Sequence, residues 1–367
     1  MNPSQKDLTF MTRALDLARK GAGRVHPNPM VGAVVVKNGR VAGEGAHQRY
    51  GGPHAEVNAV RSAGTAARGS TLYVTLEPCP HAGKTPPCTE LLIKNKIREV
   101  VVAARDPNPA VSGRGLRALK NAGIRVRAGV LADKAQELNR AFAHWTTKKM
   151  PYVIVKVAQS LDGKIAARGG RSRWISGKSS RVFAHRLRAE SDAVLVGVNT
   201  VLQDDPLLSA RGVPGMGRTP QPLKVVVDSA LKTPPGARLF SKNRGKTLIA
   251  VTSKAPRSKF ERYRGKAEIL VVPSRNGRVD LVKLCRELAR RGVAQVLIEG
   301  GGEVIADALS RKLVREAYFI TAPMLIGGDE APGSVRGRGI TDLRHAVRFR
   351  SWDITRSGAD LVIHAML

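Results

Sequence analysis

The stretch that decides the fold of the first half of this chain reads Gly52-Pro-His54-Ala-Glu56, followed after 20 residues by Glu77-Pro-Cys79-Pro-His-Ala-Gly-Lys-Thr-Pro-Pro-Cys88. One imidazole and two thiolates suit a tetrahedral zinc ion whose fourth position is left to water, as in a catalytic site. Glu56 lies two residues from His54, so it can stand beside the metal without ligating it and carry protons to a departing amine. His-x-Glu with a later Pro-Cys is the signature of zinc-dependent deaminases. We therefore predict the metal ligands His54, Cys79 and Cys88, with Glu56 as the catalytic proton shuttle.

The spacing of the two cysteines departs from the general motif, because eight residues separate Cys79 from Cys88 where two are usual. One alternative is a closed structural zinc site, for which His81 is the nearby candidate fourth ligand. Another is a helix with two unrelated buried thiols. In either case Glu56 would have no catalytic role. The catalytic hypothesis is favoured because it uses all four residues. Asn28, in a Pro-rich turn, is either a substrate-binding amide or an ordinary turn residue.

Outward from these motifs, helical stretches alternate with short apolar strands along the whole chain. Such alternation is typical of layered α/β domains. Predicted strands of the first series are Val31–Val36, Thr71–Thr75, Val100–Ala104 and Arg125–Ala128. A polar break at Lys148–Pro151 precedes a second series, whose predicted strands are Val153–Val157, Ala193–Val196, Lys224–Asp228, Thr247–Val251, Glu268–Val272 and Gln295–Glu299. We predict two domains, residues 1–147 and 148–367.

Composition narrows the class of protein. The hydrophobic fraction is 42% and no apolar run approaches the ~20 residues that span a bilayer, so a cytoplasmic, membrane-free protein is expected. Three cysteines are too few for a disulfide framework. The 62 basic and 29 acidic residues give a net charge of +33, but they are spread along the chain and aromatics are only 4%. A solvated basic surface is favoured, with weak non-specific contact to nucleic acid or steering of phosphorylated ligands as the alternative.

The second domain carries a phosphate-binding pattern of its own. The predicted strand runs into Glu299, then three glycines that include Gly301 and Gly302, then a helix. Backbone N–H groups at a glycine turn that enters a helix bind anions. Arg188 and Arg211 can clamp a substrate phosphate with paired hydrogen bonds. Another glycine pattern, Gly113-Arg-Gly115, is rejected as a dinucleotide site because an eight-residue loop separates it from its strand.

Several long motifs together closely resemble those of the bifunctional riboflavin-biosynthesis deaminase/reductases, commonly called RibD. The resemblance covers essentially the whole chain. The motifs that carry it are His26-Pro-Asn28-Pro-Met-Val-Gly32, Gly52-Pro-His54-Ala-Glu56, the Glu77–Cys88 loop, Asp106-Pro-Asn-Pro, Lys156-Val-Ala-Gln-Ser160-Leu-Asp162-Gly-Lys164, Gly197-Val-Asn-Thr200-Val-Leu-Gln-Asp204-Asp-Pro206 and Glu299-Gly-Gly-Gly302.

The resemblance implies a cytidine-deaminase-like three-layer first domain and a dihydrofolate-reductase-like second domain. It implies that the 2-amino group of 2,5-diamino-6-(5-phosphoribosylamino)pyrimidin-4-one is hydrolysed first, and that NADPH then reduces the ribosyl group to ribityl. It also implies a homo-oligomer, either a dimer or a tetramer.

The resemblance further assigns residues of the second domain to two groups. The NADPH contacts are Ala158, Trp174, Thr200, Asp204, Ser229, Gly301 and Gly302, and the substrate contacts beside Asn28 are Ser172, Arg188, Leu208, Arg211 and Glu299. The group that protonates the ring-opened amine is either Lys156 or Asp204.

Two rival functions are consistent with parts of the sequence. An RNA adenosine deaminase acting on tRNA would share the zinc site and account for the basic charge, but it has no use for an NADPH domain. A basic RNA-binding protein with vestigial sites would not need His54, Glu56, Cys79 and Cys88 all in place.

Overall fold

The computed structural model describes residues 3–81, 86–109, 111–216, 221–241 and 245–367. The chain divides into two compact units, Met1–Lys149 and Met150–Leu367. The boundary predicted from sequence lies two residues before this division. Each unit has its own sheet and its own hydrophobic core.

The first unit is built on a five-stranded sheet in the order β2-β1-β3-β4-β5. Strands β1, β2 and β3 are antiparallel neighbours, whereas β3, β4 and β5 run parallel. The strands are β1 Gly32–Lys37, β2 Arg40–Ala46, β3 Thr71–Leu76, β4 Glu99–Ala104 and β5 Arg125–Ala128. The helices are α1 Gln5–Arg19, α2 Ala55–Ala63, α3 Cys88–Lys94, α4 Arg114–Asn121, α5 Ala132–Leu138 and α6 Arg140–Lys148.

Glycines let two helices lie directly on this sheet, one on each face. A Cβ atom at Gly32 would stand 2.0 Å from the carbonyl oxygen of Ala14 on α1, and one at Gly45 would stand 2.2 Å from that of Ala55 on α2. Gly45 pairs with Ala33, the neighbour of Gly32, and successive strand residues point to opposite faces. Helices α1 and α2 therefore cover opposite faces, which gives three layers.

The second unit is built on a nine-stranded sheet in the order β10-β9-β8-β7-β13-β6-β14-β16-β15. Neighbouring strands from β10 to β14 are parallel, and β16 and β15 add an antiparallel edge. The strands are β6 Tyr152–Ser160, β7 Ala193–Gly197, β8 Leu223–Val227, β9 Thr247–Val251, β10 Glu268–Val271, the two-stranded ribbon β11 Ser274–Arg275 and β12 Arg278–Val279, then β13 Gln295–Ile298, β14 Val314–Ala322, β15 Ser351–Ser357 and β16 Asp360–Met366. The helices are α7 Lys178–Glu190, α8 Val198–Asp204, α9 Leu281–Arg290 and α10 Gly302–Ser310.

The central strands of this sheet are buried on both faces, which explains their nearly continuous apolar sequences. All five residues of β7 and of β9 are buried. Parallel strands covered by helices are expected to read this way. Strands β6, β7, β8 and β13 are parallel and end on the same side of the sheet. The segments that follow them carry the residues predicted for the second site, except Lys156 and Ala158, which lie within β6.

The described helices include none that is long and apolar enough to cross a membrane.

Candidate functional sites

The three predicted metal ligands lie together in the first unit. Nδ1 of His54 is 3.2 Å from Sγ of Cys88 and 3.6 Å from Sγ of Cys79. All three ligand atoms lie within 4.8 Å of one another. Bonds of about 2.1 and 2.3 Å at tetrahedral angles would set the ligand atoms of zinc roughly 3.5–3.8 Å apart. The donor set and its spacing therefore fit zinc.

Local structure explains why residues distant in sequence meet here. His54 is the last extended residue before α2, and Cys88 is the first residue of α3, so two helix N-termini meet at the cluster. Cys79 follows β3, and its carbonyl oxygen accepts a hydrogen bond from the backbone N–H of Thr89 at 3.2 Å. The N–H of Cys88 lies 3.4 Å from Sγ of Cys79, which favours the thiolate. The centre of the intervening loop, residues 82–85, lies outside the described residues.

Glu56 is buried in the first turn of α2, on the helix that His54 precedes. Burial raises the pKa of the Glu56 carboxyl group, and the charge of Cys79 acts in the same direction. A raised pKa brings a carboxyl group closer to the range in which it both accepts and donates a proton.

Glu77, which the sequence analysis did not identify as functional, accepts four backbone hydrogen bonds next to the cluster of His54, Cys79 and Cys88. Its Oε1 accepts the backbone N–H groups of Gly115 at 2.9 Å and Leu116 at 3.2 Å. Its Oε2 accepts those of Gly113 at 2.9 Å and Asp106 at 3.3 Å. The Gly113-Arg-Gly115 pattern thus binds a carboxylate of the chain itself.

Close packing accompanies these hydrogen bonds. A Cβ atom at Gly115 would stand 2.0 Å from the carbonyl oxygen of Pro78, so this position accepts glycine alone. The start of α4 is therefore held against the residues that lead into Cys79.

Asn28 is held by His47, a residue that the sequence analysis missed. Nδ2 of Asn28 lies 3.2 Å from Nε2 of His47, and Nδ1 of His47 lies 3.0 Å from the carbonyl oxygen of Pro53. The His47 ring also stands edge-on to that of His54, with centroids 5.5 Å apart. Burial lowers the pKa of His47, which favours the neutral ring. Asn28 is thus joined to the metal cluster through a neutral imidazole.

The second unit contains a pocket of ≈ 830 Å³ at the carboxyl ends of its parallel strands. Volumes of this size are typical of cofactor and ligand sites. The residues predicted for the site that line it are Ser172, Thr200, Asp204, Ser229, Gly301 and Gly302. Gly300 and Gly301 have φ values of 114° and 81°, which glycine adopts readily and other residues do not. The turn presents backbone to the pocket at the start of α10.

Asp204 and Ser172 form one hydrogen-bonded pair on the pocket wall. Oγ of Ser172 donates to Oδ1 of Asp204 at 2.5 Å. Asp228, also on the wall, accepts from Thr233 through Oδ2, whereas its buried Oδ1 has no hydrogen-bond partner among the described residues. Asp228 therefore keeps acceptor capacity that no described donor uses.

Glu299 is the centre of a buried charge cluster that does not line this pocket. Arg188 donates to both of its oxygens, and Nζ of Lys156 lies 3.3 Å from Oε2. Burial opposes ionisation, but the two cations outweigh it and lower the pKa of Glu299 to about 2. His185, beside them, has its pKa lowered to about 4 by burial and by the Arg188 and Arg211 cations. At neutral pH the cluster therefore holds an anion, two cations and a neutral imidazole.

The other residues predicted for the second site lie elsewhere on the unit. Ala158 is within β6, and Leu208 is buried with a φ of 49°. Trp174 is 67% exposed, with the Arg181 guanidinium 4.5 Å from its ring centroid. Arg211 donates to Oγ of Ser209 at 3.0 Å. None of the four lines the described pocket.

Basic residues of the pocket wall were missed by the sequence analysis. They are Lys232, Arg275, Arg278, Arg311, Arg336 and Arg338. Two of them come from a Gly- and Arg-rich segment that reads as a loop, and its backbone is tied to the body of the unit. The N–H of Arg336 donates to the carbonyl oxygen of Gly302 at 3.1 Å, and that of Ile165 to Pro332 at 2.9 Å. The sequence feature that could have indicated these residues is the high Arg content of the segment. Arg content alone does not distinguish the wall of a pocket from a solvated loop.

Comparison with known proteins agrees with this architecture. Residues 4–104 match the family model described as the cytidine and deoxycytidylate deaminase zinc-binding region, and residues 151–363 match the RibD C-terminal domain. The riboflavin biosynthesis protein RibD of Actinobacillus pleuropneumoniae is 40% identical over 358 residues, which cover 97% of this chain and 94% of the relative. That of Escherichia coli K12 is 39% identical over 368 residues, covering 98% and 99%.

Solved structures give the same result. Acinetobacter baumannii RibD superimposes with a TM-score of 0.90 at 36% identity, covering 99% of both chains. The diaminohydroxyphosphoribosylaminopyrimidine deaminase/5-amino-6-(5-phosphoribosylamino)uracil reductase of Thermotoga maritima superimposes with a TM-score of 0.86 at 36% identity, covering 98% of both.

The fold and the matches define an α/β enzyme in which a deaminase domain and a reductase domain share one chain. Within that class, the chain belongs to the RibD family of riboflavin-biosynthesis enzymes. The predicted fold class, the family and the two kinds of activity are thereby confirmed.

Proposed function

We propose that residues 1–147 hydrolyse the 2-amino group of 2,5-diamino-6-(5-phosphoribosylamino)pyrimidin-4-one and that residues 148–367 then reduce the ribosyl group to ribityl with NADPH. The observation that carries the proposal is the meeting of His54, Cys79 and Cys88 within 4.8 Å. His54 and Cys88 lie at helix N-termini, and the buried Glu56 is in the first turn of the helix that His54 precedes. The Thermotoga maritima relative is named for a deaminase and a reductase activity of the same two kinds.

His54, Cys79 and Cys88 would hold the zinc ion, which when bound supplies a Lewis acid that activates water for attack on the ring. Glu56 moves the protons of the hydrolysis. Its carboxylate takes a proton from the attacking water, and its acid form gives that proton to the departing nitrogen, which leaves as ammonia. Asn28, fixed by His47, offers its amide to the substrate.

In the second unit, NADPH when bound supplies the hydride. The glycine turn at Gly301 and Gly302 presents N–H groups at the start of α10 that suit a pyrophosphate. Thr200, Ser229 and Asp204 supply hydrogen-bonding groups on the walls of the same pocket, and the basic residues of the wall suit the additional phosphate that distinguishes NADPH from NADH. Ala158 and Trp174 complete the proposed cofactor contacts.

For the substrate of the reduction, we assign Ser172, Leu208, Arg188, Arg211 and Glu299. Arg188 already uses Nε and Nη2 on Glu299, so its role toward the phosphate rests on its remaining donor capacity and its charge. Lys156, hydrogen-bonded to Glu299, and Asp204, hydrogen-bonded to Ser172, remain the two candidates for protonating the opened ring amine.

We also propose that the protein is a cytoplasmic homo-oligomer, a dimer or a tetramer. The net charge of +33 supports weak, non-specific retention of nucleic acid that salt abolishes. A dedicated tRNA adenosine deaminase or an RNA-binding protein would leave the pocket of the second unit without a use.

One incubation tests the main proposal. The purified chain is given the diaminopyrimidine substrate with and without NADPH, and products are separated by chromatography and mass spectrometry. Without NADPH the deaminated, unreduced compound should accumulate, and with NADPH the ribityl compound should replace it. Recovery of unchanged substrate from zinc-replete enzyme would reject the function.

A further inference from the structure

Residues 208–211 form a stretch of irregular backbone that is largely buried in the second unit. Leu208, Ser209 and Ala210 are buried, although none of them belongs to a helix or a strand. Leu208 has a φ of 49°, in the left-handed region that a leucine rarely adopts. Buried backbone needs hydrogen-bond partners, and a strained conformation persists only where its surroundings hold it. The contacts of the 208–211 segment therefore identify the groups that fix it.

Side chains from α7 hold the first half of this segment. The carbonyl oxygen of Ser209 accepts hydrogen bonds from Nη1 of Arg188 at 3.3 Å and from Nδ1 of His185 at 3.1 Å. Because a carbonyl oxygen only accepts, Nδ1 of His185 carries the proton in this contact. Nη1 of Arg211 donates to Oγ of the same serine. Ser209 thus links both of the cations assigned to the substrate phosphate.

Gln221, two residues before β8, holds the second half of the segment. Its Oε1 accepts the backbone N–H of Ala210 at 2.9 Å, and its Nε2 donates to the carbonyl oxygen of Ala210 at 2.9 Å. One side-chain amide therefore satisfies both backbone groups of this residue, as a neighbouring strand would. The two bonds fix the peptide planes on either side of Ala210, and hence the direction in which the backbone enters Arg211.

Arg211 lies close to another cation, so its position depends on this support. The charges of Arg188 and Arg211 both lower the pKa of His185, which indicates that both guanidinium groups lie near its ring. Like charges repel each other, and Arg211 is an exposed residue with a long side chain that can extend into water. Arg188 is held on Glu299. The backbone of the 208–211 segment therefore sets how closely the second cation approaches the first.

We propose that Gln221 is a positioning residue for the reduction, whose amide fixes the backbone at Ala210 so that Arg211 stands beside Arg188 before the substrate phosphate binds. This inference rests on the proposed function, in which Arg188 and Arg211 contact that phosphate. Gln221 itself acts through Arg211 and does not contact the substrate. Two cations that are already held together leave less ordering to be done on binding, which strengthens recognition of the phosphate.

Removing the amide should weaken recognition of the phosphate and little else. In Gln221→Ala, the KM for the phosphorylated substrate of the reduction should rise roughly fivefold or more, with kcat nearly unchanged. The KM for the same substrate after enzymatic removal of its phosphate should equal that of the wild-type chain. NADPH binding should be unaltered, because neither Gln221 nor Arg211 lines the described pocket. Steady-state kinetics and NADPH fluorescence titration measure these quantities.

A double-mutant cycle distinguishes positioning from general damage. If Gln221 acts through Arg211, Gln221→Ala should have little further effect on KM in a chain that already carries Arg211→Ala. The matched control is Gln295→Ala. Nε2 of Gln295 also donates to a backbone carbonyl, that of Glu190 at 3.1 Å, but at the start of β13 and therefore at the opposite end of the parallel strands. This control should leave the preference for the phosphorylated substrate intact.

Gln221→Glu tests the same role in a chain that keeps the volume of the side chain. Its second oxygen would face the carbonyl oxygen of Ala210, where two acceptors cannot form a hydrogen bond. The KM should rise at least as much as in Gln221→Ala, and thermal unfolding checks that each variant is folded. An unchanged KM in both variants, or additive effects in the cycle, would overturn the positioning role. If Arg211→Ala leaves the preference for the phosphorylated substrate unaltered, the proposed phosphate contact itself is wrong, so the two failures are distinguishable.

Discussion

Arg188 on α7 and Glu299 at the end of β13 are joined by two parallel hydrogen bonds, from Nε to Oε1 at 2.6 Å and from Nη2 to Oε2 at 2.7 Å. Both side chains are largely buried, and Lys156 adds a second cation. The paired donors that could clamp a phosphate are thus directed at a carboxylate of the chain. The arrangement makes Glu299 the residue that orients Arg188, a candidate substrate contact, and Lys156, a candidate proton donor.

Two substitutions of Arg188 should distinguish the effect of its positive charge from the effect of its paired hydrogen bonds to Glu299. In Arg188→Ala the KM for the phosphorylated substrate of the reduction should rise at least tenfold, and NADPH binding should stay nearly unchanged, because Arg188 does not line the pocket. Arg188→Lys keeps the charge but loses the two parallel hydrogen bonds, so its KM should lie between those of the wild-type chain and Arg188→Ala. Steady-state kinetics and NADPH fluorescence titration measure these effects. A loss of NADPH binding with an unchanged KM would reverse the assigned roles.

The same cluster predicts how acid affects the second unit. The pKa of Glu299 is lowered to about 2 from an ordinary value near 4.5, so its ionised form stabilises the folded state. That contribution is complete above pH ~4.5 and is lost as the pH falls toward 2, with an upper magnitude of about 3 kcal/mol. In Glu299→Gln the acid-dependent loss should be smaller, and stability at pH 7 should fall because two cations lose their partner. Chemical denaturation between pH 3 and 7 measures both; an unchanged pH profile contradicts the prediction.

Glu77 should act on deamination through the position of Cys79 and of the segment from Asp106 to Leu116. In Glu77→Gln one acceptor oxygen is replaced by an NH₂ group that would face backbone N–H donors, so the segment should loosen. We expect zinc to dissociate at least tenfold faster to a chromogenic chelator and kcat for deamination to fall, while reduction continues. Glu44→Gln is the control, because Glu44 is a partly exposed residue of β2 that forms an ion pair with Arg13. Unaltered zinc release would show that Glu77 has no positioning role.

A substitution in one site should abolish the activity of that site and leave the other activity intact. Glu56→Gln keeps the size of the side chain but cannot move protons, so zinc should remain bound while the unreacted diaminopyrimidine accumulates. The same variant should still reduce deaminated substrate supplied to it. Asp204→Asn should give the opposite result, with the deaminated, unreduced compound accumulating in excess NADPH. A reduced but still aminated product from Glu56→Gln would mean that reduction precedes deamination.

The glycine turn should be sensitive to a single methyl group. In Gly301→Ala a Cβ is forced on a residue with a φ of 81° at the pocket wall, and NADPH affinity should fall about tenfold or more. Gly265→Ala imposes similar strain at a φ of 71° where nothing lies within 4 Å, away from the pocket. Fluorescence titration compares the two. Equal losses in both variants would attribute the effect to general strain.

The sequence predicted that His54, Cys79 and Cys88 would lie together, because their residue types are rare and their chemistry is specific. It also predicted the parallel strands, such as Thr247–Val251, because buried strands are apolar along their whole length. It gave no assignment for β2, which is rich in glycine, or for β14 to β16. The edge strand β15 lacks the alternation of a half-buried strand, since both of its faces are exposed.

Contacts between side chains that are far apart in the chain could not be predicted from the sequence. The partners Arg188 and Glu299 are 111 residues apart, and either one alone reads as a ligand for substrate. Glu77 was invisible for a different reason: its partners are backbone N–H groups, which every residue except proline has. Only the fold reveals which backbone donors converge on one carboxylate.

The four hydrogen bonds of Glu77 also limit how this domain can be re-engineered. They tie the entry to Cys79 to a segment that begins about 30 residues later, so the two stretches form one exchangeable module. A graft that imports the Glu77–Cys88 loop from a relative but keeps the recipient's Asp106–Leu116 segment joins the carboxylate to a backbone that was not folded around it, so the N–H groups would not converge in the same way. Chimeras intended to change ring specificity should therefore exchange both stretches together, along with the glycine at position 115 that allows them to touch.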